Sequence, residues 1–195
     1  MKIGITGGIG SGKSYVCNLL KQRGLPVYNC DDEAKRLMTE SPIIRHQLTA
    51  LIGENAYRNN ELNKPVIAEY LFANAENAEK VNGIVHPVVK QDFENWTKEQ
   101  TTPIVIQECA LLFESGFSDT VDVTVEIYAP KEIRLERAMK RDNATRQQVE
   151  ARMASQMDEE EKRAQANYCI INDGKADLNA QIEELFTQLN NQITK

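Results

Sequence analysis

The chain has 195 residues, of which 41% are hydrophobic and 27% charged, the size and balance of one domain with a substantial core. Its 23 Lys and Arg stand against 29 Asp and Glu, a formal net charge of -6 that excludes a protein coating nucleic acid, because such proteins carry surplus cations for the phosphates. No apolar run approaches the roughly 18 residues that suggest a membrane span, so neither a nucleic-acid nor a membrane partner is expected and any anion site must be local.

The chain opens Met1-Lys2-Ile3-Gly4-Ile5-Thr6 and runs into glycines, without the apolar stretch and cleavage site of a secretory signal, so a cytoplasmic protein is expected. Lys2 to Thr6 reads as a short β-branched strand, and Val16, Leu19 and Leu20 stand at helical spacing over Tyr15 to Leu20. Between them Gly7-Gly8-Ile9-Gly10-Ser11-Gly12-Lys13-Ser14 matches the phosphate-binding pattern G-x-x-x-x-G-K-[ST], in the strand–loop–helix context that pattern requires. Glycines let backbone N–H groups converge on phosphate oxygens, and the helix N-terminus adds a favourable dipole. ATP and Mg²⁺ are the expected ligands. Lys13 then reaches the β and γ phosphates and the Ser14 hydroxyl ligates the metal.

Gly24 stops the first helix and Leu25 to Tyr28 forms a second strand candidate. Asp31 and Asp32 follow it. A carboxylate there serves either to orient and deprotonate an acceptor hydroxyl or to cap a helix starting near Glu33. From Asp32 to Gln100 apolar residues recur at helical spacing, punctuated by Pro42, Gly53, Pro65 and Pro87, which predicts a helical insertion. Asn63-Lys64-Pro65-Val66, the nearest string to the Asn-Lys-x-Asp guanine reader, lacks the aspartate, which argues against a GTPase.

Ile104 to Ile106 and Val121 to Ile127 return to strand character, and Glu108 falls where phosphate-loop enzymes place a carboxylate near Mg²⁺, or where a helix cap belongs. The region from Lys131 to Ala166 is charged and helical. Arg134, Arg137 and Arg141 share one helix face within a segment where six cations meet three carboxylates, suited to a lid that closes on a γ-phosphate or to a solvated surface. Tyr168 to Ile171 is the last strand candidate, and Ile182, Leu185, Phe186, Leu189 and Ile193 mark the apolar face of a terminal helix. Strands separated by helices predict an α/β fold with a parallel sheet. Cys17, Cys30, Cys109 and Cys169 lack metal or redox spacing and read as reduced, structural thiols.

Taken in order, these segments resemble the dephospho-coenzyme A kinase family from Ile3 to about Gly174. Thr6 to Ser14 matches its phosphate loop and Gly24 to Asp31 its Gly-x-Pro-Val-x-Asp-Ala-Asp segment. His86-Pro87, Ala110 to Glu114, Arg137 to Asp142, Arg152 to Gln156, Glu161 to Arg163 and Ala166 to Gly174 match later motifs. Asn29, Ala110, Tyr15, Asn167 and Ile171 depart from that pattern. The resemblance implies a phosphate-loop NTPase core with a five-stranded parallel sheet at residues 1–30, 101–140 and 167–195, a helical substrate subdomain at 31–100 and a lid at 141–166. It implies transfer of the ATP γ-phosphoryl to the ribose 3′-hydroxyl of dephospho-coenzyme A, with Asp31 as base and Arg137 and Arg141 on the transferring group. His86, Leu111 and Glu114 would touch the acceptor, while Gly8 to Tyr15 and Asn172 would hold ATP. A monomer or weak homo-oligomer is expected. Two rivals share the residue-level features: another phosphate-loop kinase acting on a nucleotide or sugar, and a nucleotide-gated binding module without catalysis.

Overall fold

The computed structural model describes residues 1–193, with side chains described through Asn191. Ile193, expected on the apolar face of the last helix, therefore lies outside the described side chains. Two compact units emerge, one of residues 1–28 and 102–195, the other of residues 29–101.

The first unit is a sheet with helices. Strand β1 (Lys2–Thr6) leads through the glycine loop into α1 (Lys13–Gln22), and β2 (Val27–Asn29) follows. Later in the chain come β5 (Val105–Glu108), β6 (Val123–Tyr128) and β7 (Tyr168–Ile171), numbered after the two short strands of the helical unit. The five strands form one sheet in the order β2-β5-β1-β6-β7. β1 pairs in parallel with β5 and β6, and β6 with β7. This places the β1 terminus, and with it the glycine loop, in the middle of the sheet.

The strand side chains sort by face. Ile3, Ile5, Ile106, Val123, Val125, Ile127 and Ile170 join Val16, Cys17 and Leu20 of α1 and Ile182, Leu185 and Leu189 of α9 (Leu178–Ile193) in one buried core. Burying such aliphatic side chains is worth roughly 1.5–3 kcal/mol each, the main favourable term in this unit. The opposite face carries Gly4, Thr6, Gln107, Thr124 and Glu126, because side chains alternate along a strand.

Between β6 and β7 the charged region forms three helices: α6 (Lys131–Asp142), α7 (Arg146–Ala154) and α8 (Glu159–Gln165). Asn143, at φ 48, ends α6 in a left-handed turn, and Thr145 opens α7 in a capping box with Gln148. Leu135, Ala138 and Val149 build a small core between α6 and α7, against which Ile9 of the glycine loop packs.

The helical unit contains α2 (Cys30–Glu40), α3 (Pro42–Ile52), a two-stranded hairpin of β3 (Tyr57–Arg58) and β4 (Glu61–Leu62), then α4 (Lys64–Ala73) and α5 (Ala75–Glu99). Asn59 and Asn60 both take positive φ at the hairpin tip, as a two-residue turn of this hand demands. Along α5, Val81, Val85, Val89 and Phe93 recur every four residues as its buried stripe, and Arg36 of α2 reaches Asp92 of α5 at 2.8 Å. Pro87 sits inside α5, where its missing N–H leaves Gly83, four residues earlier, without the helical bond.

Of the two readings left open for Asp31 and Asp32, the structure removes the capping of α2. That helix begins at Cys30, three residues before Glu33, and neither Asp31 nor Asp32 caps it. The Asn29 side chain is the cap, its Oδ1 accepting the amides of Asp31 and Asp32 at 3.0 Å each. A strand that ends directly in a helix leaves only its last residue in the extended conformation that a cap requires, and Asn29 has φ -95 and ψ 107.

Candidate active site

The glycine loop is held from several sides. Gly10 takes φ 81 and passes so close to the Arg134 carbonyl that a Cβ there would collide with it. Gly8 is needed for a different reason: the Glu159 and Arg134 side chains fill the space that a Cβ would take. Gly8 N–H donates to Glu159 Oε2 at 3.2 Å, and Ile9 N–H donates to Gln156 Oε1 at 3.0 Å. Gly12 opens α1 in a left-handed conformation, and Asn172 Nδ2 donates to the Ser11 carbonyl at 2.7 Å. The Ser11 hydroxyl is buried without a hydrogen-bond partner.

At the start of α1, Ser14 Oγ donates to Glu108 Oε1 at 2.6 Å, and Lys13 Nζ lies 3.9 Å from the same oxygen. Register explains the meeting. Glu108 pairs with Ile5 and so points to the face that α1 covers. Cys17 lies beneath, buried, and that burial followed by the Glu108 carboxylate holds its thiol far above the ordinary range. It is therefore neutral, as a structural cysteine should be. Cys30 and Cys109 are also buried, Cys169 is half-buried, and none of the four is joined in a disulfide. Tyr15 faces outward at 59% exposure.

Beyond β5, the turn from Ala110 to Gly116 presents its carbonyls and Glu114. The Ala110 carbonyl accepts from Thr6 Oγ1 and from Lys162 Nζ, both at 3.3 Å. Glu114 Oε1 accepts the Met157 amide at 2.9 Å and pairs with Lys162 Nζ at 3.1 Å. Leu111, half-buried, gives its carbonyl to the Ser115 amide.

The three arginines of α6 do not form the bank of free cations that their spacing suggested. Arg134 is buried, its Nη1 3.5 Å from Glu159 Oε1. Arg137 Nη1 donates to the Asn172 carbonyl at 2.9 Å. Arg141 Nε donates to Asp142 Oδ1 at 2.7 Å, and Arg152 binds the same carboxylate, so Asp142 is held well below the usual carboxylate range by Arg141 first. Arg146 bridges Glu132 and Glu150. The local excess of positive charge is thereby largely spoken for within the fold.

Glu126, from the face of β6 opposite the aliphatic core, is fully buried with both carboxyl oxygens lacking a hydrogen-bond acceptor role. Burial, reinforced by the neighbouring Glu159 carboxylate, pushes it up to about 9. Neither Glu126 nor Glu159 was picked out by sequence reasoning. The signal was an acidic residue inside an otherwise β-branched strand.

Asp31 and His86 belong to the helical unit. Asp31 stands in the first turn of α2, where the helix dipole favours a carboxylate. His86, half-buried on α5, is lowered by burial and then by Lys90 one turn on, and so is neutral at neutral pH. Among the described residues no group of three or more His, Cys, Asp or Glu is placed to hold a metal ion, and no helix is long and apolar enough to cross a membrane.

Known proteins extend this picture. A dephospho-CoA kinase from Bacteroides fragilis (strain YCH46) is 48% identical over 194 residues, spanning 99% of this chain and 95% of the relative. The crystal structure of TT1252 from Thermus thermophilus superposes with a TM-score of 0.84 at 34% identity, covering 97% of each chain. The dephospho-CoA kinase from Campylobacter jejuni gives 0.68 at 25% identity, covering 97% of this chain and 98% of that one. The family model for dephospho-CoA kinase (CoaE) matches residues 1–177, and with a phosphate loop seated at the centre of a five-stranded parallel sheet the chain belongs to the dephospho-CoA kinase family.

Proposed function

We propose that the chain transfers the γ-phosphoryl of ATP to the ribose 3′-hydroxyl of dephospho-coenzyme A, giving ADP and coenzyme A. The observation that carries this reading is the meeting of Lys13, Ser14 and Glu108 at the mouth of the phosphate loop, in a chain of that family. The amides of Gly8 and Ile9 are held by Glu159 and Gln156, so these two residues shape the loop, while the loop amides beyond them, through Tyr15, cradle the phosphates and Lys13 draws off charge at the β and γ positions. The acceptor oxygen attacks phosphorus as the bond to the β–γ bridging oxygen breaks. Asp31 orients the hydroxyl and takes its proton. Arg137 and Arg141 stabilise charge on the transferring group. For Arg141 this requires release from Asp142, a change that nucleotide binding can drive only by favouring the released state.

His86, Leu111 and Glu114 contact the acceptor in this proposal, and Asn172 supports the nucleotide by fixing the Ser11 carbonyl on one side and meeting Arg137 on the other. A neutral His86 suits hydrogen bonding to an uncharged group.

The residues present fit Mg²⁺. Ser14 and Glu108 set a hydroxyl and a carboxylate side by side, and Mg²⁺ in such sites takes one or two protein oxygens together with substrate phosphates. Ser14 would hold it directly and Glu108 through its hydrogen bond. When bound, the ion offsets charge that develops on the phosphate oxygens. Four cysteines without a disulfide accord with a cytoplasmic, reducing setting.

The test is turnover by purified protein with ATP across dephospho-coenzyme A, adenosine, nucleoside monophosphates and small sugars. Phosphorylation of dephospho-coenzyme A alone is expected. Turnover of a nucleoside monophosphate or sugar with none of dephospho-coenzyme A would overturn the assignment.

A further inference from the structure

The glycine loop is clasped on its outer side by residues 156–159. Gln156 takes the Ile9 amide and Glu159 the Gly8 amide, and Glu159 fills the space over Gly8. The direction in which the downstream amides point depends on how this first turn is held. Glu159 is only 6% exposed, and its position is fixed by Arg134 at 3.5 Å, Lys162 at 4.0 Å and the carboxyl of Glu126.

We infer that Glu126 is a positioning residue for the phosphate loop: as a neutral carboxylic acid it donates a hydrogen bond to Glu159, which in turn holds the Gly8 amide. This inference rests on the kinase reading only for its functional consequence. Counted as a carboxylate, Glu126 is a buried group with two oxygens and no donor to meet them. Such a group costs far more than one protonated and bonded to a neighbour. Two buried carboxyls in contact do not both ionise. Charge balance agrees: Lys162 and Arg134 supply two positive charges, and Glu159 and Glu114 already answer them.

Among the described residues, three charged groups face Glu126. Helix α8 presents Glu159 and Lys162, and α6 presents Arg134. On β7 its register partner is Cys169, whose thiol burial pushes up and so keeps neutral, and on β1 it is Thr6, which does not titrate. Loss of the proton would set two anions against each other beneath the loop, push Glu159 away from Gly8 and loosen the ATP site.

The experiment compares wild type, Glu126→Gln and Glu126→Leu by equilibrium ATP binding, thermal melting and ATP kinetics from pH 6 to 10. ATP binding needs no acceptor, so it remains informative whatever the acceptor proves to be. Wild type should weaken for ATP as pH passes about 9, where Glu126 loses its proton. Glutamine keeps a donor and cannot ionise, so Glu126→Gln should bind ATP like wild type at pH 7 and lose that alkaline weakening. Leucine has no donor, and Glu126→Leu should weaken ATP binding at pH 7 by about tenfold, with KM rising more than kcat falls.

Melting supplies a readout apart from activity. Native Glu126 keeps its proton where an unfolded glutamate has lost it. Its stability contribution is thus complete below the ordinary glutamate pKa and is lost as pH rises to about 9. Glu126→Gln should flatten that decline relative to wild type. An alkaline limb and a melting slope unchanged in Glu126→Gln would overturn the inference, as would equal ATP affinity in the leucine and glutamine variants at pH 7.

Discussion

Ser14 Oγ and Glu108 Oε1 lie 2.6 Å apart, joining the start of α1 to the end of β5 across 94 residues of sequence. Removing the Glu108 charge while keeping its shape tests what this bond does. Glu108→Gln leaves a side chain able to accept from Ser14 but withdraws the negative charge beside Lys13 and the metal position. Outer-shell partners of metal ligands typically matter by 10- to 100-fold, so kcat is expected to fall by about that factor and the Mg²⁺ concentration needed for half-maximal rate to rise. A titration of rate against Mg²⁺ checks it. Unchanged Mg²⁺ dependence would reduce Glu108 to a structural partner of Ser14.

Lys13 is the cation best placed for phosphate, with its ammonium 3.9 Å from Glu108 and its stem at the first turn of α1. Lys13→Ala removes a charge-assisted contact and none of the buried core, so most activity should vanish while the melting temperature stays near wild type. Activity near wild type would sink the phosphate-loop assignment. A large fall in melting temperature would instead show that the ammonium mainly offsets the partly buried Glu108.

The five strands of the parallel sheet were readable as short apolar runs between turn signals, and the loop because its spacing and context leave few alternatives, whereas the β3–β4 hairpin inside the expected helical insertion was not, because two-residue strands carry no periodicity. What escaped was the set of contacts made across long sequence distance. Gly8 and Glu159 are 151 residues apart, and nothing in either neighbourhood announces the other. Glu126 escaped for a related reason. In Val-Thr-Val-Glu-Ile the alternation reads as one buried and one wet face, yet α8 covers the second face. Several departures from the family pattern, by contrast, become intelligible once partners are visible. Asn167 Oδ1 accepts from the Thr124 amide and hydroxyl, and Asn29 Oδ1 caps α2. Each needs an acceptor oxygen, which asparagine supplies as aspartate does. Ala110 contributes a carbonyl, which proline also has. At Ile171 both backbone groups are taken by the Gln181 side chain.

Arg141 tests the lid. Its guanidinium is exposed and held by Asp142, so the resting protein gives it an alternative partner. Arg141→Ala should lower kcat by about tenfold or more while ATP affinity moves little, because the contact with the transferring group strengthens in the transition state. A raised KM with unchanged kcat would assign Arg141 to ground-state binding. Asp142→Asn, which weakens the resting pair, should leave kcat close to wild type.

Asp31 and Asn29 sit two residues apart, and the structure gives them separable roles: Asn29 caps α2 and Asp31 does not. Asn29→Ala should therefore cost about 1 kcal/mol of stability through loss of the cap, read as a lower urea midpoint, with kcat largely preserved. Asp31→Asn keeps the size and hydrogen-bonding reach of the side chain but removes the proton acceptor. If Asp31 is the base, kcat with dephospho-coenzyme A falls by about 10²- to 10⁴-fold while ATP affinity and the urea midpoint stay near wild type. Wild-type turnover in Asp31→Asn would remove the base role from this residue, and with the cap already accounted for by Asn29 it would leave Asp31 only its favourable place in the first turn of the helix.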